Sequence, residues 1–320
     1  MNRNSLRRAI APAAVAASLA LTLAACGGQS SSAESGEGAS GSVAIDGSST
    51  VFPLSDAAAE LLNEENTSIK VTVGSAGTGG GFEAFCAGKT DISDASRPID
   101  EAEEVPLCEK EGIEYTELQV ATDALTVVVP TDFEVDCITT EQLKTMWEPA
   151  AQGKVTNWNQ VDPSFPDEEL ALFGPGTDSG TFDYFTDEIN GEEGASRSDY
   201  EASEDDNVIV EGVANTPGAA GYFGFTYYEE NADKLKALEV DSGDGCVAPS
   251  AETAQSGNYT PLARPLFIYV ANKSYADKPQ VAEYVDYYID NLTDIAEAAE
   301  YIPLNDDQLS ETQSGLEGLK

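Results

Sequence analysis

The run Gly174-Pro175-Gly176-Thr177-Asp178-Ser179-Gly180-Thr181, followed at once by Phe182, Asp183, Tyr184 and Phe185, concentrates residue types that can do chemistry. Its glycines and proline predict a tight turn, and Asp178, Ser179 and Thr181 are residues that favour helix starts. Phe182, Phe185 and Ile189 recur at i, i+3 and i+7, which predicts a helix with one buried face beginning near Thr181. Such a turn presents unpaired N–H groups and the positive end of the helix dipole, both suited to an oxyanion. Other chemistries are excluded. Ser179-Gly180-Thr181 lacks the lysine of a Walker A loop, and the centre of Gly176 to Gly180 is Asp178, not the serine of a nucleophile elbow. The chain has no histidine, so neither a Ser-His-Asp triad nor a His-based metal site can be built.

Other turns carry similar residues. Val43-Ala44-Ile45 reads as a strand ending at Asp46-Gly47-Ser48-Ser49-Thr50-Val51, with Pro53 at a helix start and Leu54, Ala57, Ala58, Leu61 and Leu62 on one helical face. Strand Ile69 to Val73, turn Gly74 to Gly81 and a short helix opening at Phe82 to Cys86 repeat the sentence. Two hydroxyl-and-glycine turns on successive strand-to-helix junctions belong on one edge of a parallel sheet, where open α/β folds bind ligands. Thr90 to Pro98 follows, with Ser96 and Arg97; outside the N-terminal leader the arginines are Arg97, Arg197 and Arg264. Arg97 can offer a fork of donors to an oxyanion or pair with a surface acid.

The elements that position these turns are read more coarsely. Leu125 to Val129, ended by Pro130, predicts a buried strand, and Thr140 to Trp147 a helix. Trp147 and Trp158 are assigned to the core. Leu170 to Phe173 is the strand feeding the Gly174 turn, Glu201 to Asp206 an acidic loop, Val208 to Val213 an apolar segment and Gly218 to Phe225 a glycine-aromatic strand. Leu262 to Val270 is a further strand and Ala282 to Leu292 an aromatic-rich helix.

Residues 1–25 read as a signal peptide: Arg3, Arg7 and Arg8 precede an Ala/Leu-rich run. Its end, Leu23-Ala24-Ala25-Cys26, resembles the lipobox of bacterial lipoproteins, which implies lipidation of Cys26 and a tether to the outside of the cytoplasmic membrane. Residues 26–42 are Ser/Gly-rich and read as a flexible tether. The whole chain carries a formal charge of −42, and the leader holds only positive charges, so the mature protein is more acidic still. That balance argues against nucleic acid or an anionic membrane surface as partner. It does not forbid an anionic ligand, because exposed fields are screened over about 8 Å while a desolvated site obeys its own donors.

Taken together, Asp46 to Leu54, Gly77 to Gly81, Ile92 to Arg97, Trp147 to Lys154 with Trp158, Gly174 to Phe185, Gly218 to Phe225 and Arg264 to Tyr269 resemble the PstS-type phosphate-binding proteins of bacterial ABC transporters. The resemblance implies an α/β, two-lobed periplasmic-binding-protein fold (type II-like), with the ligand in the cleft between lobes joined by two crossing strands. Lobe one is placed at 43–122 plus 262–320 and lobe two at 123–261. Cys86, Cys108, Cys137 and Cys246 then support two disulfides, Cys86–Cys108 and Cys137–Cys246, each within one lobe; a four-thiolate zinc site lacks any C-x-x-C spacing.

Carried over by position, the resemblance implies phosphate ligands at Ser49, Thr50, the N–H of Val51, Thr78, Gly79, Ser96 and Arg97, and from lobe two Ser179, Gly180 and Thr181. The chain departs from the family pattern in one respect: Arg97 stands where an aspartate is usual, and Pro175 where an arginine is usual. Asp178 is the expected acceptor of the phosphate proton, with Asp46 and Asp94 in reserve. The implied protein is no enzyme and has no catalytic residue, metal or cofactor. It is a monomeric extracytoplasmic lipoprotein that binds inorganic phosphate and delivers it to a membrane permease. The alternatives are the same fold binding sulfate or molybdate, an exported phosphatase, or an adhesive surface lipoprotein.

Overall fold

The computed structural model describes residues 39–177 and 179–320. The expected leader, Cys26, most of the tether and Asp178 lie outside the described residues. The first half alternates strand and helix: β1 (Gly41–Gly47), α1 (Phe52–Glu65), β2 (Ile69–Val73), α2 (Thr78–Cys86), β3 (Ile92–Ala95), α3 (Val105–Glu111) and the long β4 (Tyr115–Pro130). Then come β5 (Cys137–Thr139), α4 (Thr140–Trp147), α5 (Trp158–Val161), β6 (Ala171–Pro175), α6 (Gly180–Phe185), β7 (Glu201–Ser203), α7 (Asp206–Asn215), β8 (Ala219–Gly224) and α8 (Phe225–Glu230). The short β9 (Leu235–Ala237), β10 (Glu239–Asp241), β11 (Cys246–Val247) and α9 (Ala251–Gln255) lead to β12 (Ala263–Ala271). The chain closes with α10 (Asn272–Asp277), α11 (Pro279–Asp290), α12 (Leu292–Ala298) and α13 (Asp306–Leu319).

The main sheet runs β2-β1-β3-β12-β4-β8-β6-β7, and β9 also pairs with β4. β1 is parallel to both β2 and β3, so the turns after these strands open on one edge. β4 is shared. Its Tyr115–Ala124 part pairs antiparallel with β12, and Leu125–Val128 pairs with β8. At about 3.3 Å per residue it spans roughly 50 Å, long enough to serve two cores. The period of two along a strand sorts its side chains. Leu266, Ile268 and Val270 of β12 enter a core built with α1, α11 and α12, while Phe267, Tyr269 and Ala271 face Phe82 and Phe85. Leu125, Val127 and Val129 pack with Trp147, Trp158, Phe185 and Tyr222, and Val128 packs with Ile209 and Val213 of α7. The fold is mixed α/β and two-lobed, with β4 and the entry into β12 crossing between the halves.

Both tryptophans are fully buried, and Trp158 Nε1 donates to the Gly218 carbonyl at 2.8 Å. Both expected disulfides form, Cys86–Cys108 and Cys137–Cys246. Several boundaries differ from expectation. β1 already pairs at Gly41, so the end of the tether assigned to 26–42 is strand. α2 starts at Thr78, not Phe82, because the Gly81 N–H closes on the Gly77 carbonyl at 2.8 Å and the glycines are helical. The acidic stretch from Glu201 is partly strand, since Glu201–Ser203 extends the sheet edge beside Phe173–Pro175. The apolar Val208–Val213 stretch is helix, capped by the Asp205 side chain on the Asn207 N–H. The aromatic-rich helix begins at Pro279 and breaks at Asn291 before α12.

One buried carboxyl sits directly behind the first turn. Asp94 of β3 is fully buried; its Oδ1 accepts from the Ser55 hydroxyl at 2.9 Å, and Oδ2 has no partner among the described residues. Burial pushes its pKa from the usual 3.8 up to about 8, with the Ser55 hydrogen bond opposing and the charge of Asp46 reinforcing. The native state therefore holds a proton that the unfolded chain releases. Stability from this group is fully present below about pH 4 and is lost as pH rises toward 8. Asp94→Asn, which mimics the protonated form, is expected to gain stability relative to wild type between pH 5 and 8. Urea unfolding at several pH values checks this; a constant difference between the two proteins counts against it.

Candidate functional site

Turns that leave one sheet edge can converge only if they are tied together, and here the ties are explicit. In the first turn, after β1, the Ser48 N–H donates to the Asp94 carbonyl at 2.9 Å and Ser48 Oγ accepts from the Thr50 N–H at 3.2 Å. The second turn, before α2, is fixed to the first by Asp46, whose Oδ1 accepts from the N–H groups of Gly47 and Ala76 at 2.9 and 3.0 Å. The Gly77 N–H reaches the Gly47 carbonyl at 2.9 Å. The third turn, after β3, is fixed to the second: Thr78 Oγ1 lies 3.1 Å from Ser96 Oγ and accepts from the Ser96 N–H at 3.2 Å.

These turns face α6 across a cavity of about 490 Å³. Ser48, Ser49, Thr50, Gly77, Thr78, Gly79, Ser96, Arg97 and Arg264 line one side; Gly180, Asp183, Tyr184, Asp187, Glu188 and Glu193 line the other. Among the described residues the N–H groups of Ser49 and Gly180 make no hydrogen bond. A Cβ on Gly180 would meet Thr50 Oγ1 at 3.1 Å, so its backbone is directly opposed to Thr50. Hydroxyls, free N–H groups and guanidinium around this cleft form a donor set for an oxyanion.

The two arginines are held differently. Arg97, half exposed, gives Nη1 and Nη2 to Glu104 at 2.8 Å each, and Nη1 also to the Pro98 carbonyl at 3.1 Å. Hydrogen bonding to Glu104 is the first cause of its raised pKa. Arg264 is 18% exposed; Nε donates to Asp123 Oδ2 at 3.2 Å and Nη2 to Thr50 Oγ1 at 2.8 Å. Its guanidinium lies 3.6 Å from the centre of the Tyr184 ring. Across the cavity, burial raises the pKa of Asp183 and Glu188, aided by Glu193 and Asp187 respectively, and Arg264 opposes both shifts.

Of the expected ligands, Ser49, Thr50, Thr78, Gly79, Ser96, Arg97 and Gly180 come together on this cavity. Val51 does not: it is fully buried, and its N–H is spent on the Ser48 carbonyl at 3.2 Å. Ser179 caps α6, its Oγ accepting from the Thr181 N–H at 3.2 Å, while Thr181 lines a neighbouring cavity. Of the reserve acceptors, Asp46 Oδ1 is committed to the backbone of the first and second turns, and Asp94 is enclosed behind the first. Sequence reading missed Arg264 and the cavity-lining acids Asp183, Asp187, Glu188 and Glu193 of α6 and the residues after it. A lone arginine in an otherwise apolar strand is the signal that points to the first.

A model of the PBP superfamily domain matches residues 32–291. Protein SphX of Synechocystis is 49% identical over 264 residues, spanning 82% of this chain and 78% of that protein. The phosphate-binding protein PstS of Staphylococcus saprophyticus is 38% identical over 301 residues, spanning 93% and 91%. The chain belongs to the PstS-type phosphate-binding proteins of ABC transporters. A crystal structure described as a possible phosphate-binding protein from Planctomyces limnophilus superposes with a TM-score of 0.83 at 42% identity, covering 88% of this chain and 99% of that one. PstS-type proteins are solute-binding transport proteins rather than enzymes, and they work outside the cytoplasm. No helix among the described residues is long and apolar enough to cross a membrane.

The PstS-type turns depend on close backbone approach. A Cβ on Gly81 would sit 2.5 Å from Gly47 Cα and 2.9 Å from Ser93 Oγ, whereas on Gly79 it would meet only Arg97 Nη2 at 4.0 Å. Gly81→Ala is expected to lower stability by about 1–3 kcal/mol through overpacking. Gly79→Ala is expected to be neutral or to gain up to about 1 kcal/mol from helix propensity. Chemical denaturation of the two variants provides the comparison, and equal losses would contradict the packing shown.

Proposed function

We propose that this chain binds inorganic phosphate in the cleft between α6 and the three turns, and delivers it to an ABC-transporter permease. The observation that carries the reading is the convergence of Ser49, Thr50, Thr78 and Ser96 with the free N–H groups of Ser49 and Gly180 around one cavity. The relatives named for phosphate binding, similar along most of the chain, support the same ligand. A micromolar dissociation constant needs about 8 kcal/mol, which several N–H and O–H donors supply after ordering costs. In this reading lobe one is 43–122 plus 262–320, lobe two is 123–261, and closure about the crossing strands excludes water from the ligand. Cys26 carries the lipid, and the protein acts as a monomer.

Asp178 is proposed to accept the proton that phosphate carries near neutral pH and sulfate lacks. A site that demands a donor rejects the analogue without one far more strongly than size exclusion can. Ser179 and Thr181 are proposed to contribute from the start of α6. Calorimetric titration of the anion-stripped protein with phosphate and then sulfate tests the reading. Saturable phosphate binding at micromolar concentration or tighter, with sulfate at least about a hundredfold weaker, is expected. Equal affinity for sulfate would remove phosphate as the assigned ligand, and Asp178→Ala with unchanged discrimination would remove the acceptor.

A further inference from the structure

The guanidinium of Arg264, held by Asp123, is, we propose, the cationic ligand of the bound anion and the group that polarises Thr50 toward it. This inference rests on the phosphate reading and assigns its charge to a different residue from the one the sequence suggested. Arg97 lines the cavity, but three of its five N–H donors are committed, two to Glu104 and one to Pro98, so an anion would meet a guanidinium already neutralised by a carboxylate on its forked edge. Arg264 and Asp123 stand directly opposite each other in the β4–β12 ladder, a cross-strand ion pair on rigid elements. Asp123 takes Nε only. Nη2 goes to Thr50 Oγ1, and Nη1 has no hydrogen-bond partner among the described residues.

The bond to Thr50 has a chemical consequence. A hydroxyl that accepts from a guanidinium keeps its own proton for donation, and accepting a charged hydrogen bond strengthens that donation. Thr50 lies on the cavity wall, so Arg264 acts on an anion both through its own N–H groups and through this hydroxyl. Its partners also come from different parts of the fold: Thr50 from the first turn, Asp123 from the crossing strand, and Tyr184 from α6. Asp183 and Glu188 bring negative charge to the same cavity, and Arg264 is the cation that opposes both. With its side chain 18% exposed and stacked on Tyr184, the guanidinium works in a poorly screened setting. Asp123 is its positioning residue.

Three variants of the full chain test the assignment by phosphate titration: Arg264→Gln, Arg264→Lys and the pair Arg264→Gln with Asp123→Asn. Arg264→Gln is expected to weaken phosphate about 10- to 100-fold, the loss of a hydrogen bond to a charged group. Arg264→Lys should fall between, since it keeps charge without the fork. The paired variant avoids a buried unpaired carboxylate; it should recover the melting temperature of the phosphate-free protein but not the affinity. A second readout is the rise in melting temperature on adding saturating phosphate, which a merely structural role would leave unchanged. Wild-type affinity in the folded paired variant would overturn the assignment while leaving the phosphate reading intact. Absence of phosphate binding by the wild type would instead remove the reading beneath it.

Discussion

The antiparallel pairing of β4 with β12 is the constraint on which the rest of the structure depends. It runs from Tyr115 opposite Ala271 to Ala124 opposite Ala263, and β4 then continues into a second ladder with β8. One strand thereby fixes the β1–β3 turns and the α6 turn in a common frame. The register does further work, because strand alternation decides which face each side chain takes. A slip of one residue would turn Leu266, Ile268 and Val270 away from α1 and α11, and would separate Arg264 from Asp123. The register irregularity between Leu266 and Phe267 lies between the Arg264 end and the Phe267–Val270 segment that also pairs with β3. It gives the two segments different alignments on β4 within one strand pair.

A chain with a formal charge of −42 is an unpromising container for an anion if charge is summed over the whole molecule. The structure answers this locally. Donors around the cavity are mostly neutral: hydroxyls of Ser49, Thr50, Thr78 and Ser96, and N–H groups of Ser49 and Gly180. Neutral dipoles are cheaper to desolvate than cations and do not titrate near neutral pH. The acids of the cavity, Asp183, Asp187, Glu188 and Glu193, belong to α6 and the residues after it, opposite the hydroxyl turns. A negative wall facing a donor wall suits a ligand that is anionic yet still carries a proton.

Much of this was legible in the sequence, for reasons of local chemistry. Glycine, serine and threonine at the end of an apolar strand announce a binding turn, and those turns do meet at one cavity. The tryptophans are core as expected, and both disulfides form as paired by the lobe assignment that the family resemblance implied. What was not legible depends on contacts remote in sequence. Arg97 does reach the cavity beside Ser96, but its two-bond pairing with Glu104, seven residues on, is not announced by any spacing. Arg264 pairs with a residue 141 positions away, so adjacency could not reveal it. Val51 looked available beside Thr50, but the turn folds its N–H back onto Ser48. The first half of β4 went unread because Tyr115 to Ala124 mixes polar and apolar residues, and pairing with β12 rather than propensity makes it a strand.

The glycines show most clearly how backbone geometry creates this site. Read from sequence, Gly79, Gly80 and Gly81 end the turn that precedes the helix, yet all three are helical. Gly81 is required by proximity, because its Cα packs against Gly47, whose own Cβ would strike the Asp94 carbonyl at 2.1 Å. The missing side chains let the β1, β2 and β3 turns approach at backbone distance, and Gly77 adds a positive φ of 81° where α2 begins. Hydroxyl groups on short side chains converge only if their backbones are this close, since serine and threonine have no length with which to compensate. Long, flexible donors could span a wider cavity but would lose more conformational entropy on binding. Close-packed glycine turns carrying short donors, with Arg264 anchored to Asp123 across the β4–β12 ladder, therefore hold these groups with little conformational freedom left to lose.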